Sequence, residues 1–259
     1  MKLKRIIAAA CTAFFIMTMP VSAKAAVTVG ILKDNAPYST VKKGRTRGLE
    51  PAVARRIFGK SVRFRAFDRR SELASALKSR RIQAAFGATD AMDVNQDVFD
   101  VSDPYLYEPN VLFRRHDGKR KSVTKLAGKP VGMLEGGNQT YLLKSISARI
   151  RRYRTPEALD RALAGGRICA AVMSDFEYTA YLKDHPEHVR AQDPQNEDQV
   201  ADLFVKIGDP AVTSAQLAVV TYRNAGLLKK INSQIAGLHD SGALQDISLK
   251  YMGKDISLE

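Results

Sequence analysis

The stretch VRFRAFDRRSELASALKSRRIQAAFG, residues 62–87, decides the fold class. Val62 and Phe64 alternate with Arg63 and Arg65, the two-residue period of a strand with one face in water. Ser71 reads as the cap of a helix, because Leu73 and Leu77 then fall on one face. Ala84-Ala85-Phe86-Gly87 follows as a short apolar run, the pattern of a buried strand. A strand, a helix and a strand in so short a span predict parallel pairing with the helix laid on the sheet.

The same grammar extends in both directions. Upstream, Val27 to Leu32 reads as a strand, and Pro51 opens a helix at a position where a missing amide costs nothing. The order is therefore βαβαβ, an α/β unit. After the extended run Asn110 to Phe113, the strand Val131 to Leu134 runs into the glycine turn Glu135-Gly136-Gly137-Asn138. Thr155-Pro156-Glu157 starts a helix, Gly165-Gly166 ends it, and Ile168 to Met173 forms the next strand. A second α/β lobe is the economical reading. Near the end, Ala218 to Tyr222 reads as a strand, and Leu227, Leu228, Ile231, Ile235 and Leu238 mark one face of a helix stopped at Gly242.

The first residues set Lys2, Lys4 and Arg5 before an apolar run, Ile6 to Met19, that ends in small residues. This is the plan of a cleavable secretory signal over residues 1–25, with the run too short for a membrane span. The part after it keeps one cysteine, Cys169, so no internal disulfide is available and the core must supply stability. The formal charge of +14 falls to about +10 without the leader. Basic pairs and the cluster Arg149-Ile150-Arg151-Arg152 supply it, but an exported chain rarely meets nucleic acid, and none is expected as a partner.

Eight short stretches carry a resemblance. They are Ala36-Pro37-Tyr38, Gly48-Leu49-Glu50, Leu77 to Ile82, Val101-Ser102-Asp103-Pro104-Tyr105, Leu126 to Lys129, Val131 to Gly136, Ala164 to Arg167, and Gly242 to Ile247. In this order they resemble the periplasmic solute-binding proteins of polar amino-acid ABC transporters. The resemblance implies a two-lobed type II binding-protein fold, each lobe a mainly parallel sheet flanked by helices. Lobe 1 would hold residues 26–112 and 218–259, and lobe 2 residues 113–217. The crossings would lie near 112–115 and 214–218, with the ligand between the lobes and a hinge closing over it.

The resemblance also implies site positions. The arginine that would clamp a ligand carboxylate falls on Asn95, and its helping hydroxyl on Asp90 beside Thr89, with Gly87 at the end of the preceding strand also counted among the ligand-binding positions. Loss of a guanidinium and gain of a carboxylate would repel a carboxylate ligand at this loop and suit an amine. Asp93 and Asp97 add to its acidity. The usual aromatic positions fall on Asn35 and Arg70, with Tyr38 reading more as packing than as a ligand wall. The aspartate that would hold the ligand ammonium falls on Ser174 or, one position later, on Asp175. Gly136, Gly137 and Asn138 would offer backbone amides to an acceptor group.

Catalytic and cofactor motifs were sought and none occurs, so neither an enzyme nor a cofactor is expected. Cys169 sits in mid-strand and reads as a small core residue. His185-Pro186-Glu187-His188 places two histidines together, but two without a third ligand do not make a metal site, and none is expected. The expected function is capture of a small polar, amino-acid-like or amine-containing ligand for an inner-membrane ABC permease by a periplasmic monomer. A transport-independent partner or sensor on the same fold is the alternative.

Overall fold

The computed structural model describes residues 26–87, 89–90, 93–119, 122–188, 204–209 and 212–259. The secretory signal lies outside them. The chain opens with β1 (Thr28–Leu32), buried from Val29 onward. A small antiparallel flap follows: β2 (Asp34–Asn35), β3 (Ser39–Lys42) and β4 (Arg45–Arg47). Lys43 and Gly44 turn it with φ of 51° and 72°, a left-handed pair that a two-residue hairpin needs. Then come α1 (Leu49–Phe58), β5 (Arg63–Phe67), α2 (Arg70–Lys78), β6 (Ala84–Ala85) and β7 (Asp100–Val101). β1 pairs in parallel with β5 on one side and β6 on the other, as the opening stretch predicts.

α2 begins earlier than the Ser71 reading implies. Arg69 is the N-cap, and its guanidinium has no acceptor for the first-turn amides; the Glu72 carboxylate accepts the Asp68 amide at 3.2 Å. This starts the helix early enough to make Arg70 its first residue.

The chain leaves the first sheet along β8 (Leu106–Glu108) and enters the second as β9 (Asn110–Arg115). There follow β10 (Pro130–Leu134), α3 (Thr140–Ser145), β11 (Arg149–Tyr153), α4 (Pro156–Ala164), β12 (Ala170–Ser174), α5 (Asp175–Asp184) and β13 (Phe204–Lys206). In the order β11-β10-β12-β9-β13 four strands run the same way and β9 alone runs against them. Return runs along β14 (Ala215–Leu217) to β15 (Val220–Thr221), α6 (Ala225–Asp240) and α7 (Ala243–Met252). The first sheet is then β5-β1-β6-β15-β7, again with four strands one way and a single strand, β15, against them. α6 and α7 bury Ile231, Ile235, Leu244 and Ile247 with Val29, Ile31 and Leu49 in one core.

Both expected lobe boundaries shift. Leu112 packs inside the second lobe against Val131 and Val172, and Leu217 packs inside the first. The outward break falls at Pro109, which has no amide to continue a ladder and whose carbonyl instead accepts the Asp175 amide at 2.8 Å. β8 and β14 pair antiparallel, so the two crossings form one ribbon.

Candidate functional site

The lobes face each other across a cavity of about 420 Å³. Its floor is apolar and comes from the first lobe: Leu73 and Leu77 of α2, Phe99 and Val220. Its rim is polar and comes from both lobes. Arg70, Thr89, Asp90, Asp93 and Asn95 stand on one side, and Gly136, Gly137, Asn138, Thr140, Lys144 and Arg152 on the other.

Arg70 spans the gap. Its Nε donates to the Gly87 carbonyl at 2.7 Å within its own lobe, and its Nη2 to Asn138 Oδ1 at 3.1 Å in the other. Nη1 donates to the Gly136 carbonyl, which the turn presents to the cleft because Gly136 has a φ of 79°. Burial lowers the guanidinium pKa, while Glu50, Glu177 and Asp93 act against that shift. The residue standing at an aromatic position is thus a charged strap between lobes.

The acidic loop divides its labour. Asp90 is buried, its Oδ1 accepts the Gln216 amide at 3.2 Å, and its backbone bridges to Leu217, which ties the loop to the return crossing. Thr89 reinforces this through its carbonyl, which accepts the Ala218 amide at 3.1 Å. Asp93 faces the other lobe instead, where the backbone amides of Thr140 and Tyr141 at the start of α3 favour its charged form. Burial first, and then Asp90, push its carboxyl up to about 6, with Lys144 opposing. Asn95 lines the cavity from an exposed turn, its Oδ1 accepting the Asp97 amide at 3.1 Å.

Among these residues the chain shows its kinship. The family described as bacterial extracellular solute-binding proteins, family 3, matches residues 27–254. The chain belongs to this family. Among its relatives is the probable amino-acid-binding protein YxeM of Bacillus subtilis, 26% identical over 242 residues, covering 89% of this chain and 85% of the relative. The arginine-, lysine-, histidine-binding protein ArtJ of Geobacillus stearothermophilus shares the fold, with a TM-score of 0.63 at 19% identity, over 88% of this chain and 96% of that one. So does the L-cystine solute receptor of Neisseria gonorrhoeae in its unliganded open form, at 0.59 and 21%, over 92% and 97%. Among the described residues no helix is long and apolar enough to cross a membrane.

In this solute-binding protein five of the expected positions lie off the main cavity, Gly87 among them, whose carbonyl accepts Arg70 Nε. Tyr38 is buried in the first core, and its hydroxyl donates to Glu108. Ser174 and Glu177 form a capping box on α5, through bonds of 3.2 and 3.0 Å. Asp175, the first residue of α5, pairs with Lys254 instead of facing the cavity. Asn35 lines a smaller recess of about 370 Å³ with Asp68, Arg69 and Glu177, on the other side of Arg70.

Three residues were missed. Glu108, at the end of β8, receives Tyr38 Oη from the first lobe and Asn138 Nδ2, at 3.3 Å, from the second. Burial first, then Glu177, push its carboxyl up to about 8; Ser174, Asn138 and Lys254 act the other way. Lys144 and Arg152 bring positive charge to the rim, Arg152 Nη2 donating to Thr140 Oγ1 at 3.3 Å. They stand on the second lobe, opposite the acidic loop of the first. A signal existed for Arg152, which shares a strand face with Ile150 under α3.

Proposed function

We propose that this protein captures a small zwitterionic, amino-acid-like solute between its lobes and presents it to an ABC importer. One observation carries this reading. Acid and base face each other over an apolar floor, Asp90 and Asp93 from the first lobe and Lys144 and Arg152 from the second. A ligand ammonium suits the former and its carboxylate the latter, while its carbon skeleton covers Leu73, Leu77 and Phe99. A volume of about 420 Å³ lies within the ordinary range for small-molecule sites. The names of relatives, which speak of amino acids, arginine and cystine, agree with this class.

Engagement of both rims by one molecule favours the closed arrangement, since only a closed cleft satisfies both charges. The reading requires no catalytic group. It places the mature protein outside the cytoplasmic membrane, acting as a monomer.

The test is calorimetry and thermal shift with the purified mature protein against amino acids, diamines and simple carboxylates. The expected result is binding by amino acids above either half-ligand, and an affinity loss of tenfold or more, about 1.4 kcal/mol, in Asp93→Asn. Equal binding by simple amines and by amino acids, or none by any of them, overturns the proposal.

A further inference from the structure

α5 points its N-terminus toward the crossing and its C-terminus away from it. Ten residues make a helix about 15 Å long, so whatever gathers at its far end is separate from the cleft. What gathers there is the His185-Pro186-Glu187-His188 turn. His185 caps α5, and Pro186 to His188 form one 3-10 turn, closed by the His188 amide on the His185 carbonyl at 3.1 Å.

This turn folds its side chains onto a common point. His185 Nδ1 lies 2.9 Å from Glu187 Oε1, and His188 Nε2 lies 4.0 Å from the same oxygen. One ligand atom from each of the three residues falls within 4.8 Å of the others. The structure then supplies what the sequence lacks. Asp160 of α4 sets its Oδ2 3.2 Å from His188 Nε2. Donors around a tetrahedral zinc ion with bonds of about 2.0–2.1 Å stand roughly 3.3 Å apart, so the three atoms of the turn reach that spacing by closing up to about 1.5 Å, and Asp160 adds its oxygen from the His188 side.

We infer that His185, Glu187, His188 and Asp160 form a zinc site on the flank of the second lobe. The donor set suits a borderline divalent transition cation: two imidazoles, with two carboxylates that balance its charge. A supporting shell is in place. Tyr181 Oη donates to Asp160 Oδ2 at 2.7 Å, and its ring stacks on that of His185 at 4.2 Å between centroids. The phenol thereby orients the carboxylate. His188 is buried, whereas exposed ion pairs of this kind add little to stability by themselves. Zinc here pins the end of α5 to α4.

The test uses tag-free mature protein, stripped with chelator and dialysed, then titrated with zinc chloride by calorimetry and followed by thermal shift. One equivalent per chain is expected, with a Kd of about 1 µM or tighter and a Tm raised by several degrees. Magnesium chloride produces neither effect, because this site offers too few oxygens for a hard cation. His185→Ala with His188→Ala, and separately Glu187→Gln, weaken zinc binding tenfold or more. Glu187 is largely exposed, so its variant folds and keeps the experiment readable. Sub-stoichiometric zinc, an equal response to magnesium, or undiminished affinity in both variants overturns the proposal.

Discussion

The two lobes use one packing device twice. In the first, a side chain grown on Gly30 of β1 would meet Ile82 Cδ1 at 2.5 Å, Leu73 Cδ2 at 2.6 Å and Phe67 Cε2 at 3.3 Å. In the second, one grown on Gly132 of β10 would meet Ile168 Cδ1 at 2.5 Å and Tyr153 Cε2 at 3.3 Å, with Leu159 Cδ1 closer still. Strand glycine, edge-strand aromatic, helix leucine and the isoleucine before the next strand recur in the same places. The lobes differ where the helix starts. Thr155 caps α4 through its hydroxyl, which accepts the Ala158 amide at 3.2 Å, and Pro156 follows. The matching positions at α2 are Arg69 and Arg70, with no side-chain cap. The first lobe has traded a cap for a guanidinium that spans the cleft.

That equivalence can be broken at its base. Gly30→Ala and Gly132→Ala force a methyl among side chains that are themselves fully packed, and each should cost about 2 kcal/mol in denaturant unfolding. Clearly unequal costs would show that the shared contacts are not the shared support.

The difference can be sharpened next. Arg70→Ala removes two donor contacts across the gap, expected to shift the ligand-free closed-to-open ratio by roughly 1–2 kcal/mol, several-fold to about tenfold. Small-angle scattering should report a larger radius of gyration. Pro156→Ala, at the matching position, should leave the radius unchanged; a parallel shift would deny Arg70 its role.

The smallest effect lies at the caps. Thr155→Ala should cost about 1 kcal/mol. Arg69→Ser gains a cap but loses an exposed pair with Glu72, measured at 2.9 Å, so stability should stay within about 0.5 kcal/mol. Equal losses at both sites would mean that α2 was capped after all.

Local rules made much of this fold legible. The alternation in residues 62–67 and the Thr155-Pro156 start are statements about neighbours in sequence, and β5 and α4 stand where those rules put them. Runs of apolar residues were less informative about length. Ala84 to Gly87 and Ala218 to Tyr222 give strands of only two residues each, since burial on both faces carries no period that marks where pairing ends. At the site, register placed Thr89, Asp90, Asn95 and the Gly136 turn, and the structure gathers them with Arg70 around one cavity. Glu108 was illegible because its partners Tyr38, Asn138 and Ser174 come from three distant segments that no period relates. Lys144 required knowing that the glycine turn folds α3 over the acidic loop.

The ribbon of β8 and β14 has a mechanical consequence. Leu106, Tyr107 and Glu108 are held in register with Leu217, Gln216 and Ala215. Such a strip bends across its face but resists sliding and stretching, since either would slip its hydrogen bonds. The lobes therefore keep a single angular degree of freedom, and Asp90, anchored to Gln216, keeps one wall of the cleft on the same pivot. Whatever fixes that angle fixes the outer contour of the whole molecule, so occupancy deep in the cleft becomes legible as shape on the surface.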